Sequence, residues 1–207
     1  MVKACRSVQI VLAAGRSERM GSPKPLLDFG GRTALELVVG AAVDAGVAST
    51  CIVIGESGDA VQAAHGANPC FGRARWVHNR ERGSEQVRSL QLALEALKDE
   101  QLDAFFIHPV DHPLATASDY SLLLRAFEAD SGAHEAFILS HGHRRGHPIL
   151  CRTALSERFL ALGPDQTARA VIEQTRLSYV LTPNSGVLED MDRPEDYVRA
   201  KARLGQG

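Results

Sequence analysis

The sequence predicts an α/β fold in which helices cover both faces of a mostly parallel β-sheet. One observation is an alternation: short apolar runs rich in β-branched residues are separated by longer stretches with helical periodicity. Another is size, because a chain of 207 residues suits one domain and buries enough apolar surface to need no disulfide or structural metal. No linker or repeat interrupts the pattern, so we expect one domain over residues 1–207.

The elements follow from this pattern. Strands are expected at the four apolar runs Val8–Leu12, Thr50–Ile54, Ala104–Ile107 and Ala136–Leu139. Helices are expected at Ala34–Ala45, Val87–Leu97 and Asp119–Ala129. A further helix is expected in the tail, where Pro194 just after Asp192 marks the start, and it runs to about Leu204. The polar segment Ser140–Pro148 is expected to form a long loop or an exposed hairpin over one edge of the domain.

Composition excludes several classes of function. The formal net charge of -2 gives no reason to expect a nucleic-acid or anionic-membrane partner. No apolar run approaches the length of a membrane span, so a soluble, cytoplasmic protein is expected. The cysteines form no CxxC pair, and we expect reduced, buried, small apolar side chains rather than a metal or redox site. They are Cys5, Cys51, Cys70 and Cys151.

The segment LAAGRSERMGSPKPLL, Leu12–Leu27, follows the first predicted strand. Open parallel sheets bind ligands beyond the carboxyl ends of their strands. The small residues at 13–15 let backbone amides approach a ligand closely, and the cations Arg16, Arg19 and Lys24 suit a polyphosphate. The segment does not match the P-loop pattern. It does not match the GxGxxG pattern either, and this second mismatch disfavours a nicotinamide dehydrogenase. A solvated basic loop is the alternative.

Carboxylates follow two other segments. Asp111, in HPVDHPL, lies beyond the strand Ala104–Ile107, where it is placed for Mg²⁺ or, alternatively, for capping a turn. Asp190 and Asp192, in LEDMDRPEDY, alternate in an extended segment and point to the same side. From the sequence alone, Asp192 is better explained as the cap of the helix that begins at Pro194.

These motifs together resemble the nucleotidyltransferases that activate sugars, isoprenoid precursors and the molybdenum cofactor, and above all the cytidylyltransferases acting on molybdopterin. The resemblance implies a Rossmann-like three-layer fold similar to the nucleotide-diphospho-sugar transferases. It also implies an Mg²⁺-dependent enzyme that binds an NTP, with CTP favoured, and a small phosphorylated acceptor. A molybdoenzyme or a chaperone is the protein partner that it suggests.

The resemblance also assigns residues. Nucleotide contacts fall to Leu12, Ala13, Ala14, Gly15, Arg16, Arg19, Lys24, Asn79 and Gly83. The catalytic residues are Lys24, Arg19 and Asp111, and the metal ligands are Asp111 and Asp192, with Asp192 now both a cap and a ligand. Acceptor contacts fall to Arg145 and His147 in RGHPIL and to Asp165 and Arg169 in GPDQTARAVI. For Ser89, a helix-surface position is an equal alternative to a role in the site.

Other interpretations stay open. The spacing of His141, His143, His147 and Cys151 suggests a zinc site, but Arg144 and Arg145 would repel the cation. Val110, His112 and Thr167 depart from the family pattern, so a sugar-phosphate or polyol-phosphate acceptor is an alternative within the class. From another class, the chain could be a non-catalytic nucleotide-binding or cofactor-delivery protein.

Overall fold

The computed structural model describes residues 5–15, 17, 19–81 and 86–205, and the strands of these residues form one seven-stranded sheet. The strands are β1 Ser7–Ala13, β2 Ser49–Ile54, β3 Ala74–His78, β4 Ala104–Pro109, β5 Ala136–His141, β6 Arg144–Arg152 and β7 Leu177–Leu181. Their order across the sheet is β3-β2-β1-β4-β6-β5-β7. Only β6 runs antiparallel to its neighbours, so the expectation of a mostly parallel sheet is confirmed.

Helices pack on both faces of the sheet. They are α1 Ala34–Asp44, α2 Gly58–His65, α3 Gln86–Leu97, α4 Ala117–Ala129, α5 Ser156–Leu160, α6 Ala168–Glu173 and α7 Pro194–Leu204. Strand β1 is buried along its whole length, and its side chains alternate between the faces. Ile10 belongs to the core that contains Leu90 of α3, whereas Val11 belongs to the core that contains Val38 of α1. These contacts make three layers.

The segment 140–148 forms a hairpin and not a long loop. Gly142 and His143 have φ angles of 54° and 62°, the left-handed conformation that a two-residue turn between antiparallel strands requires. Its residues 142–145 are exposed, as the hairpin alternative expects, but the second strand of the hairpin is not at the edge of the sheet. Strand β6 lies inside the sheet, because its apolar half, Ile149–Cys151, is buried and pairs with β4.

The last helix begins at Pro194, but its capping residue differs from the expectation. Arg193, and not Asp192, is the residue that caps α7, and its backbone N–H donates to Asp196 Oδ2 at 2.8 Å. The helix therefore has a carboxylate for its first turn without Asp192, whose side chain points to a lysine described below. Among the described residues, no helix combines the length and apolarity that a membrane crossing needs.

Candidate active site

A cleft of about 750 Å³ opens at the carboxyl ends of the four neighbouring parallel strands β1 to β4. This is where an open parallel sheet binds its ligand. From the loop after β1 and the segment that follows it, the cleft is lined by Leu12, Ala13, Ala14, Gly15, Ser17, Arg19, Met20, Lys24 and Pro25. Val110, Asp111 and Asp192, from two segments distant in sequence, also line the cleft. The cleft therefore collects most of the residues that the sequence assigned to the nucleotide, the metal and catalysis.

The loop after β1 is folded on itself. Ser17 has a φ of 53°, its backbone carbonyl accepts from Met20 N–H at 2.9 Å, and its hydroxyl oxygen accepts from Lys24 N–H at 2.9 Å. Lys24 then begins a short 3-10 turn, with Pro23 before it and Pro25 within it. These bonds fix the start of the lysine side chain relative to the glycine-rich part of the loop. Arg16, which the sequence assigned to the nucleotide, lies outside the described residues.

Lys24 lies between the two carboxylates predicted to bind metal. Its Nζ is 3.1 Å from Asp111 Oδ2 and 2.8 Å from Asp192 Oδ1. Burial alone would lower the pKa of Lys24, but the carboxylate of Asp111 and the hydrogen bond to Asp192 outweigh burial, and the pKa is raised. The hydrogen bond from Lys24 lowers the pKa of Asp192. The ammonium group of Lys24 and the carboxylate of Asp192 are therefore held in their charged forms.

A small apolar core beneath these charges holds their segments together. It contains Leu27, which follows Lys24, Leu114, which follows Asp111, and Met191, which precedes Asp192. Met191 is fully buried, and Leu27 and Leu114 are almost so. Three segments that are distant in sequence are thus anchored by apolar side chains one to three residues from their charged groups.

The two carboxylates fit a divalent cation. Asp111 Oδ1 is buried and has no hydrogen-bond partner among the described residues, although a carboxylate oxygen normally requires a donor or a cation. Carboxylate oxygens are the ligands that Mg²⁺ prefers, and Mg²⁺ usually takes only one or two from the protein together with substrate phosphates and water. Consistent with that, the described residues hold no group of three or more acidic, histidine or cysteine side chains that could enclose an ion.

The other half of the cleft is built by the ends of β2 and β3. A Cβ atom on Gly55 would lie 2.5 Å from the carbonyl oxygen of Ala14, so the backbones after β1 and β2 touch where only glycine fits. Asn79 follows β3 and is buried, and its Nδ2 donates to Ser89 Oγ at 2.9 Å. Ser89 is therefore a buried residue that lines the cleft, and the helix-surface alternative is wrong. Gly83 lies outside the described residues.

Sequence reasoning missed several residues that line this half. They are Gly55, Glu56, Asp59, His78, Arg80, Glu81 and Gln86. The residues after β2 could have been predicted, because β2 was predicted and open parallel sheets bind ligands beyond the carboxyl ends of their strands. Those after β3 could not, since β3 is a five-residue strand without a buried face and was not recognised.

The residues assigned to the acceptor do not line this cleft. Arg145 donates to the Tyr179 hydroxyl at 2.6 Å, Arg169 pairs with Glu173 at 2.6 Å, and Asp165 is exposed. His147 contacts His112, with the ring centroids 4.5 Å apart and the rings tilted by 47°. The structure therefore does not bring these four residues together with the cleft, and their roles stay predictions.

The imidazoles of His112 and His147 are neutral, and each has a ring nitrogen without a hydrogen-bond partner among the described residues. Burial lowers the pKa of both His112 and His147. The Nδ1 atom of each ring is buried without a hydrogen-bond partner among the described residues. The pair lies next to Asp111 in sequence, and His112 is one of the departures from the family pattern.

The zinc alternative has no support in the described residues. Cys151 is a buried free thiol whose pKa is raised by burial, and His141 Nδ1 donates to the carbonyl of Thr182 at 3.0 Å. Neither side chain belongs to a group of metal-binding residues in the part of the chain that the structure describes. All four cysteines are free thiols; Cys51 and Cys151 are buried, as the sequence predicted, whereas Cys5 and Cys70 are only partly buried.

Several solved structures are similar to this chain in fold. Rv0371c from Mycobacterium tuberculosis H37Rv is 23% identical, with a TM-score of 0.79, and covers 94% of this chain and 97% of its own. A structure of Rv0371c in complex with manganese is 21% identical with a TM-score of 0.78, and covers 95% and 98%. A nucleotidyl transferase from Methanothermobacter is 22% identical with a TM-score of 0.77, and covers 97% and 98%. CMP:2-keto-3-deoxy-manno-octonic acid synthetase in complex with CTP is 16% identical with a TM-score of 0.72, and covers 97% and 99%.

The chain has the α/β fold of the nucleotide-diphospho-sugar transferases, as expected from the sequence. The model of the MobA-like NTP transferase domain matches residues 9–179, and the chain belongs to that family. A comparison with curated proteins gave no match.

Proposed function

We propose that this protein transfers a nucleoside monophosphate from CTP to molybdopterin in an Mg²⁺-dependent reaction that releases pyrophosphate. The observation that carries the proposal is the contact of Lys24 with Asp111 and Asp192 at the mouth of the glycine-rich loop. A nucleotide-binding protein needs a cationic loop for phosphates. It does not need two carboxylates, held in place against that loop, which repel the same phosphates unless a cation lies between them.

The chemistry follows from what the side chains can do. A phosphate oxygen of the acceptor attacks the α-phosphorus, the bond from that phosphorus to the bridging oxygen breaks, and pyrophosphate leaves with the electron pair. The attacking phosphate is already ionised, so no side chain has to remove a proton from it. Catalysis then comes from alignment and from stabilising the charge that develops.

Each charged residue has a place in this scheme. Lys24 neutralises charge on the α-phosphate, while Arg16 and Arg19 hold the departing pyrophosphate. Asp111 and Asp192 hold Mg²⁺, which would neutralise part of the triphosphate charge. The manganese complex of Rv0371c supports a divalent metal in a protein of this fold.

CTP is the favoured nucleotide because the first loop reads LAAG, as in the cytidylyltransferases that the sequence resembles. The CTP complex of a protein with the same fold is consistent with that choice. One observation favours a second candidate within the class: Arg145, Asp165 and Arg169, the residues matched to molybdopterin recognition, lie away from the cleft. A sugar phosphate or polyol phosphate is therefore the alternative acceptor.

Pyrophosphate release from the purified protein tests the proposal, with Mg²⁺, each NTP in turn, and either molybdopterin or a panel of sugar and polyol phosphates. We expect release with CTP and molybdopterin, with kcat/KM lowered about 10²–10³-fold by Asp111→Asn. Release with another pair would keep the reaction and replace the substrates. Absence of release with every pair, despite NTP binding, would refute the enzymatic proposal in favour of a binding protein.

A further inference from the structure

We propose that Asp119 is a positioning residue that sets the separation between Asp111 and Asp192. The inference rests on the proposed function, because that function makes Asp111 and Asp192 the metal ligands. Asp119 itself touches neither of them and does not line the cleft. It acts through the two chain segments that carry them.

Asp119 lies in the first turn of α4, and only 1% of its surface is exposed. On the side of Asp111, its Oδ2 accepts from the backbone N–H and the hydroxyl of Thr116, both at 2.8 Å. These two bonds fix the end of the segment 110–116 against the helix. An ordinary helix cap would need no more than this.

Two further bonds go beyond a helix cap. The Thr182 hydroxyl donates to Asp119 Oδ1 at 2.6 Å, and Asn184 Nδ2 donates to Asp119 Oδ2 at 2.7 Å. The two donors are 63 and 65 residues away in sequence and begin the segment that leads to Asp192. A buried carboxylate with four donors is strongly held, because each lost bond would leave a buried charge without compensation.

Asn184 completes the connection. The second hydrogen of its Nδ2 goes to the carbonyl of Leu114 at 2.9 Å, and its Oδ1 accepts from Gly186 N–H at 2.8 Å. A Cβ atom on Gly186 would lie 2.8 Å from the Cβ of Leu114, so the two segments are in direct contact there. Asp119 and Asn184 thus join the segments 110–116 and 182–188 to each other as well as to α4.

The separation matters because oxygen ligands bind Mg²⁺ at about 2.0–2.1 Å in near-ideal octahedral geometry. A site supported by two carboxylates on different segments therefore depends on how those segments are held. Leu114 and Met191 add apolar packing to the same junction. Because hydrogen bonds are directional, those of Asp119 fix the orientation of the two segments in addition to their contact.

The chain offers a matched control at the other end of α4. Asp130 also has a well-buried side chain, 8% exposed, and it accepts from Arg152 Nη2 at 2.8 Å, from Gly132 N–H at 2.8 Å and from His134 Nδ1 at 2.7 Å. It does not line the cleft and has no bond to either carboxylate segment. Asp130→Asn should therefore lose stability in the way that Asp119→Asn does, without affecting the metal site.

The test measures Mn²⁺ binding by electron paramagnetic resonance in the presence of a non-hydrolysable CTP analogue, together with metal-free binding of the analogue and Tm. Asp119→Asn should weaken Mn²⁺ binding about tenfold, and the milder Thr182→Val about threefold, in line with losses of ligand support elsewhere. Metal-free binding of the analogue should change less than about twofold in both. Asp130→Asn should keep the wild-type Mn²⁺ affinity at a similar loss of Tm.

Equal Mn²⁺ affinity in Asp119→Asn and wild type would overturn the inference. So would equal weakening by Asp119→Asn and Asp130→Asn, since that would mark a general effect of stability. If Asp119→Asn does not fold, Thr182→Val decides by the same criteria. The proposed function fails separately: a wild-type protein that binds Mn²⁺ with the analogue, yet releases no pyrophosphate, would refute the reaction and leave the role of Asp119 standing.

Discussion

The ammonium group of Lys24 lies 3.1 Å from the carboxylate of Asp111, across the mouth of the cleft. The same nitrogen is 2.8 Å from Asp192, so one side-chain cation lies where the proposed metal would lie. Two cations cannot share that position without strong repulsion. Binding of metal and nucleotide should therefore move Lys24 from the carboxylates to the α-phosphate, which is the place its proposed role requires.

Replacement of Lys24 should separate its two effects. Lys24→Met should lower kcat about 10²–10³-fold, as for removal of one preorganised donor. In the absence of nucleotide the same variant should bind Mn²⁺ more tightly than wild type, because the carboxylates lose their internal counter-ion. Lys201→Met is the control, since Lys201 pairs with Asp28 at 2.9 Å outside the cleft. Weaker Mn²⁺ binding by Lys24→Met would show that Lys24 does not compete with the metal.

Asp111, Asp192 and the neighbouring Asp190 should differ in their importance for activity. Asp111 has a side chain only 17% exposed and a buried oxygen without a partner, so Asp111→Asn should lose about 10²–10³-fold in kcat/KM. Asp192 is 56% exposed, and water can replace its oxygen on the metal. Asp192→Asn should therefore lose about tenfold.

Asp190 is the control for this series, because it is exposed, lies two residues before Asp192 and does not line the cleft. Asp190→Asn should keep wild-type kcat/KM at saturating Mg²⁺. Rates measured for the three variants over a range of Mg²⁺ concentrations would decide the order. A larger loss in Asp190→Asn than in Asp192→Asn would place the metal elsewhere.

The free energy of unfolding should decrease as the pH is lowered, because a histidine in β4 is buried. His108 Nε2 donates to the carbonyl of His112 at 2.9 Å, and its Nδ1 accepts from the Tyr120 hydroxyl at 2.5 Å, so the ring is neutral. Burial lowers the pKa of His108 to about 3, against an ordinary value of 6.5. Between these values the unfolded chain binds a proton that the folded chain does not. Stability is therefore lost as the pH falls below about 6.5.

Urea unfolding at pH 7 and pH 5 measures this effect. The contribution of His108 to the loss should be about 2 kcal/mol, since each pH unit in the window corresponds to about 1.4 kcal/mol. His108→Gln, which can keep both hydrogen bonds, should remove that part of the loss. His143→Asn, at an exposed turn position, should leave it unchanged. An unchanged pH dependence in His108→Gln would mean that His108 is not the group responsible.

The sequence predicted the parts of the molecule whose signal is local. Helix α3 has a periodic buried face and strand β1 is a continuous buried apolar run, and both were located to within one or two residues. Strand β7 was missed because it is short and exposes Tyr179 and Leu181, which leaves no apolar pattern.

The same reasoning explains what was missed in the site. Lys24, Asp111 and Asp192 each stand beside a strand end or turn that the sequence marks. The sequence did not indicate the role of Asp119, because its partners Thr182 and Asn184 are distant along the chain and come close to it only in the folded protein.

The close approach of Gly55 to Ala14 should make the first loop sensitive to a side chain at position 55. A methyl group on Gly55 would lie 2.5 Å from the carbonyl oxygen of Ala14, and the obstacle is backbone, so the first loop would have to move. Because that loop holds the nucleotide in our proposal, Gly55→Ala should weaken metal-free CTP binding by about tenfold or more, measured by calorimetry. Gly163→Ala is the control, since its Cβ would meet only the Gln166 side chain at 3.6 Å. Wild-type CTP affinity in Gly55→Ala would show that the nucleotide does not depend on the position of this loop.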